Sequence, residues 1–121
     1  MKVLIVDDNA RVRWLIKSII GDLADQFYEC ADGDEAVDTY TKLQPDWVLM
    51  DIRMNEMDGI IATTQIKAAF ADAKILIVTD YDDDDLREAA MAAGASGYVL
   101  KENLNALRRI LKKESVKSQG S

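Results

Sequence analysis

Five short apolar runs recur along the chain, and after each the apolar positions return every three or four residues. Lys2 to Val6 is rich in β-branched residues and predicts a strand, which stops at Asp7-Asp8-Asn9. Val12, Leu15, Ile16, Ile19 and Ile20 then keep the spacing of one buried helix face, with Gly21 or Asp22 as its end. Phe27 to Ala31 predicts a second strand, and Asp32-Gly33-Asp34 a turn and helix cap. Ala36, Val37 and Tyr40 face inward on the next helix, which Pro45 terminates. Trp47 to Met50 is the third strand and delivers Asp51 to its C-terminal tip. Asp58-Gly59 opens a third helix with Ala62, Ile66, Ala69 and Phe70 on its inner side. Lys74 to Val78 predicts a fourth strand ending at Thr79, followed by an acidic loop from Asp80 to Asp85. Leu86, Ala89, Ala90 and Ala93 mark a fourth helix closed by Gly94, and Ser96 to Leu100 a fifth strand ending at Lys101. Leu104, Leu107, Ile110 and Leu111 mark the last helix, and residues 112–121 read as a frayed tail or the start of a linker.

This βα alternation predicts an α/β fold: one parallel sheet covered by helices on both faces. Five strands suit an open doubly wound sheet better than a closed barrel, which needs eight. In such sheets ligands bind beyond the strand C-termini, where the strand order reverses. Asp7, Asp8, Asp51, Thr79 and Lys101 all fall at those ends.

Composition narrows the function. The 121 residues suit one domain, and 49% hydrophobic content argues for a packed core over disorder. A net charge of −7 argues against a basic face for nucleic acid, and these residues contain no basic helix-turn-helix segment. No apolar run approaches the roughly 20 residues that span a bilayer, so no membrane association is expected. Cys30 is the only cysteine, which excludes an intrachain disulfide, and Met1-Lys2-Val3 leads into a strand without a cleavable signal pattern. A cytoplasmic location is the expectation. With no histidine, His-based catalysis and His-ligated zinc are excluded.

Each strand-tip residue has an ordinary reading when taken alone. Asp7-Asp8 could end a strand and cap a helix, Thr79 could be a strand-end hydroxyl, and Lys101 a solvated lysine. Together they make chemistry. Crowded carboxylates repel, and a divalent cation resolves the repulsion. Oxygen ligands with several retained waters suit Mg²⁺. The cation, the Lys101 ammonium and the Thr79 hydroxyl around one carboxylate would receive a phosphoryl group, with Asp51 as nucleophile.

From about Lys2 to Leu111 the chain resembles the receiver domain of two-component response regulators. The matching pieces are Val6-Asp7-Asp8-Asn9, Val48-Leu49-Met50-Asp51-Ile52-Arg53-Met54, Met57-Asp58-Gly59, Ile77-Val78-Thr79 and Gly94-Ala95-Ser96-Gly97-Tyr98-Val99-Leu100-Lys101. The last block is most like the NarL/LuxR-type branch, whose members usually carry a helix-turn-helix output domain. The resemblance implies a CheY-like fold with strand order 2-1-3-4-5 and a receiver domain over residues 1–111. It implies that Asp51 accepts a phosphoryl group from a phosphohistidine on a sensor histidine kinase. Asp8, Asp51 and the backbone carbonyl of Arg53 would bind Mg²⁺ directly, and Asp7 mostly through water. Lys101 would contact the phosphoryl group, Thr79 would move toward it, and Tyr98 would turn inward behind it. A downstream protein or C-terminal output domain, and a homodimer formed on phosphorylation, are further expectations.

Three positions depart from the family pattern. Asn55-Glu56 stands where a proline usually follows Met54, which frees the loop and adds a carboxylate near the pocket. Asp80 replaces a small residue after the switch threonine, and Lys101-Glu102 replaces Lys-Pro. Asn55, Glu56 and Asp80 are candidate modulators, as is Arg53 beside them. Two other functions compete: a phosphorylation-independent interaction module, and a Mg²⁺-dependent phosphohydrolase. The hydrolase would need a second carboxylate near Asp51 and a substrate cap; Arg53 occupies the position two beyond Asp51, and the chain leaves no length for a cap. The expected role is a switch rather than an enzyme, with at most self-phosphotransfer and autodephosphorylation.

Overall fold

The computed structural model describes residues 1–54 and 57–120, with side chains as far as residue 113. The elements run β1 (Lys2–Val6), α1 (Ala10–Ile20), β2 (Gln26–Cys30), α2 (Gly33–Leu43), β3 (Trp47–Met50), α3 (Gly59–Ala69), β4 (Ile75–Thr79), α4 (Asp84–Ala92), β5 (Gly97–Leu100) and α5 (Asn105–Gly120), with a 3₁₀ turn at Lys101–Asn103. All strand pairs are parallel and the sheet order is β2-β1-β3-β4-β5. The order reverses between β1 and β3, which places the ligand crevice of such sheets above those two strands.

The central strands are apolar except at Lys2, where β1 begins, and Thr79, where β4 ends, because both of their faces are covered. The alternation of side chains splits them into two cores. Leu4, Val6, Val48, Met50, Ile75 and Ile77 pack with Ala36, Tyr40, Ala62, Ile66 and Ala90 of α2, α3 and α4. Val3, Ile5, Leu49, Leu76, Val78 and Val99 pack with Ile16, Ile20, Leu107 and Leu111 of α1 and α5.

Helix starts follow side-chain chemistry. Asn9, Asp32, Asp58 and Asp83 each accept backbone N–H bonds as N-caps. Gln44 ends α2 in the left-handed region at φ 43°, and the following Pro45 bars a further right-handed helical turn.

Several boundaries differ from the sequence pattern. β2 begins and ends one residue early, and β4 and β5 begin one residue late. On α3, Ala69 is exposed and Phe70 only partly buried, while Thr63 takes the inner place. Its hydroxyl can be buried because it donates to the Gly59 carbonyl at 2.7 Å. Leu15 and Ala89 are exposed at the edges of their helix stripes. The last helix does not stop near Leu111 but continues to Gly120, since Lys112, Lys113 and Glu114 are good helix formers and no proline intervenes. Among the described residues, no helix is long and apolar enough to cross a membrane.

Candidate functional site

The C-terminal ends of β1 and β3 bring three carboxylates together. Asp7, Asp8 and Asp51 each offer an oxygen within 4.8 Å of the others. Asp7 and Asp51 are buried, and Asp8 is exposed. The backbone fixes their places: the Asp7 N–H donates to Cys30 O at 3.0 Å, and the Asp51 N–H to Val6 O at 2.9 Å. Asp7 Oδ1 accepts the Asn9 N–H at 2.8 Å. Asp51 Oδ1 accepts its neighbour Ile52's N–H at 2.8 Å.

Lys101 reaches into this group from the turn after β5. Its ammonium lies 2.8 Å from Asp7 Oδ2 and 3.2 Å from Asp51 Oδ2. Burial works to lower its pKa, but Asp7 and Asp51 outweigh that and hold the ammonium above its ordinary value. The Asp51 carboxyl is pushed up by burial and by the charge of Asp7, against the pull of Lys101 and the Ile52 N–H. Two buried carboxylates sharing one ammonium leave negative charge unbalanced. An all-oxygen donor set with one member open to solvent fits a hard divalent cation that keeps part of its water.

Around this centre the other candidates divide. Thr79 is fully buried at the end of β4, where its Oγ1 accepts the Tyr81 N–H at 3.4 Å and so braces its own loop. Asp80 is 74% exposed, yet its carboxylate is 3.9 Å from the Lys101 ammonium. The Tyr98 hydroxyl donates to the Tyr81 carbonyl at 2.6 Å, and the Arg87 guanidinium lies 4.5 Å from the Tyr98 ring. Burial raises the Tyr98 pKa, against the charge of Arg87. Exposed Arg53 stacks on the Tyr81 ring at 4.8 Å, joining the loop after β3 to the loop after β4. Asn55 and Glu56 lie outside the described residues.

Three supporting residues escape the sequence pattern. Gly59 leaves room for the Asp51 carbonyl, which a β-carbon there would meet at 1.8 Å. Asp32 reads in the sequence only as a helix cap, but its Oδ1 also accepts the Met57 N–H at 3.0 Å and ties α2 to the loop after β3. Arg13 donates to the Asp7 carbonyl at 2.6 Å. Only the Asp-Gly pairs left a trace in the sequence, as turn signals.

Comparison with known proteins gives one consistent picture. The family described as "Response regulator receiver domain" matches residues 3–113. The response regulator protein VraR of Staphylococcus aureus is 38% identical over 123 aligned residues, 96% of this chain and 59% of VraR. The chain therefore spans about three-fifths of the length of that relative. A LuxR-family two-component response regulator from Aurantimonas sp. SI85-9A1 superposes with a TM-score of 0.81 at 33% identity, covering 93% of this chain and 85% of that one. CheY in a CheX–CheY–BeF3–Mg complex from Borrelia burgdorferi is representative of the more distant matches, with a TM-score of 0.81, 25% identity, and coverage of 93% and 87%.

Proposed function

The chain belongs to the response regulator receiver domain family, and from that premise we propose that it is a phosphorylation switch in which Asp51 accepts a phosphoryl group from a phosphohistidine of a sensor histidine kinase. The observation that carries this reading is the gathering of Asp7, Asp8 and Asp51 around the Lys101 ammonium at the sheet's switch point.

In this reading a carboxylate oxygen of Asp51 attacks phosphorus. The new bond is O–P; the bond that breaks joins phosphorus to the imidazole nitrogen, which leaves with the electron pair. Lys101, already 3.2 Å from Asp51, is poised to neutralise the incoming oxygens. Asp8, Asp51 and the Arg53 backbone carbonyl would hold Mg²⁺, with Asp7 acting largely through water. Bound Mg²⁺ supplies positive charge to the transferring oxygens. Thr79 would release the Tyr81 N–H and donate its hydroxyl to the phosphoryl group, and Tyr98 would leave the Tyr81 carbonyl and turn inward. The changed surface is then α4, β5 and α5.

Because the VraR relative extends well beyond the matched region, we propose that the whole protein carries a LuxR-type output domain and regulates transcription in the cytoplasm. The receiver itself would not contact DNA, and phosphorylation would favour a homodimer. Its only chemistry would be self-phosphotransfer and autodephosphorylation. The test is incubation with Mg²⁺ and acetyl phosphate followed by intact mass measurement. A gain of one phosphoryl group, abolished by Asp51→Asn, supports the proposal. No gain in the parent chain leaves the phosphorylation-independent interaction module as the better reading.

A further inference from the structure

The peptide that joins Asp7 to Asp8 carries two of the three pocket carboxylates, one on each side. Its orientation decides where Asp8 points. The N–H of Asp7 is held by the β2 strand, through Cys30 O at 3.0 Å. The carbonyl of Asp7, which belongs to the Asp7–Asp8 peptide, is held by something else: Arg13 Nη1, at 2.6 Å. Arg13 lies on α1, and its Nε donates to Glu29 Oε1 at 3.0 Å. The other oxygen of Glu29 takes Lys17 Nζ at 2.9 Å. Phe27, two residues before Glu29 and so on the same face of β2, packs into the core that α1 covers. Arg13 is thus a fork with one prong on a β2 carboxylate and the other on the Asp7 carbonyl.

We infer that Arg13, aligned by Glu29, is a positioning residue for the divalent cation: it sets the Asp7–Asp8 peptide and with it the Asp8 carboxylate. This inference rests on the proposed use of the pocket for Mg²⁺. It is distinguished from a charge effect by its sign. A guanidinium beside an acidic pocket repels a cation, so by Coulomb's law its removal alone would tighten Mg²⁺ binding. If Arg13 positions Asp8, its removal weakens binding. A guanidinium reaches the two separated acceptors from different nitrogens, Nε and Nη1; a lysine has all its donors on one atom and cannot span both.

The test is isothermal titration of the chain with Mg²⁺, with urea unfolding in EDTA alongside. Arg13→Ala is expected to raise the Mg²⁺ dissociation constant roughly 10-fold, the low end for losing a group that orients a metal ligand, while Arg13→Lys restores part of the affinity. Unchanged or tighter binding by Arg13→Ala would overturn the inference. If Arg13→Ala does not fold, Arg13→Lys carries the test alone, and parent-like affinity there overturns it. A parent chain that takes up no Mg²⁺ sinks the proposed function and this inference with it. Mg²⁺ uptake by the parent with no change in the variants sinks the inference alone.

Discussion

A β-carbon built on Gly59 would lie 1.8 Å from the carbonyl oxygen of Asp51. The backbone fixes the position of a β-carbon, and the oxygen is itself main chain, so no side-chain rotation relieves the contact. The Gly59 N–H also donates to Ile52 O at 2.7 Å, so the start of α3 is held to the chain just beyond β3. The phosphoacceptor candidate keeps its place partly because residue 59 has no side chain.

Gly59→Ala is therefore expected to destabilise the fold by at least about 2 kcal/mol, within the range for overpacking a core. Gly94→Ala, where the backbone adopts φ +103° at a helix end, should cost about 1 kcal/mol through strain. Urea midpoints of the two variants against the parent decide the order. Equal losses would show that the Asp51 contact is easily relaxed.

Asp51→Asn should stabilise the metal-free protein at neutral pH. Burial and the charge of Asp7 raise the Asp51 carboxyl in the folded state. A carboxyl raised by folding binds its proton more tightly in the native chain than in the unfolded one. Stability is thus lost as pH rises from the ordinary carboxyl value through the raised one, and the loss is complete above it. The asparagine variant avoids that loss, and its melting temperature in EDTA should exceed the parent's by about 2–6 °C. The difference should close as pH falls below the ordinary carboxyl range. A persistent difference in acid would mean that packing, not charge, is its cause.

Lys101→Met leaves Asp7 and Asp51 buried without the ammonium that lies 2.8 Å and 3.2 Å from them. In EDTA the variant should be less stable by about 2–4 kcal/mol, toward the cost of breaking a buried ion pair. Mg²⁺ should return more stability to the variant than to the parent, since the stability that ligand binding adds to the native state grows with the logarithm of the affinity. Unfolding curves with and without Mg²⁺ measure both effects. Equal Mg²⁺ gains would contradict the shared role of lysine and cation.

Asp80→Ala tests the carboxylate at the pocket mouth, 3.9 Å from Lys101. Removing this exposed charge should speed labelling by an anionic phosphodonor and weaken Mg²⁺ binding, each by about 2-fold, and salt should blunt both effects. Labelling and decay rates across a Mg²⁺ titration provide the readout; unchanged rates at low salt would remove Asp80 from the modulators.

The elements that sequence pattern reads well are those whose identity is local. A run such as Ile75 to Val78, short and rich in β-branched residues, reads as a buried strand, and Asp32 and Asp58 cap the helices that their position suggests. Pattern fails where the neighbour decides. Ala69 looks more apolar than Thr63, yet Thr63 is buried because its hydroxyl finds the Gly59 carbonyl one turn back. The extent of α5 is not visible in the pattern because Lys112 and Lys113 show no buried face, although they favour helix.

By itself the sequence determined the alternation of strands and helices and placed carboxylates, a hydroxyl and a lysine at strand ends. Those follow from side-chain periodicity and from where each apolar run stops. Tertiary structure alone decided which of those groups touch. Lys101 and Asp51 are 50 residues apart in the chain and meet at 3.2 Å only because the sheet aligns β1, β3, β4 and β5 at one edge. Arg13 finds the Asp7 carbonyl because α1 packs back over β1 and β2, and Gly59 is required because α3 starts against Asp51. Such contacts depend on the distance between elements, which no local pattern encodes.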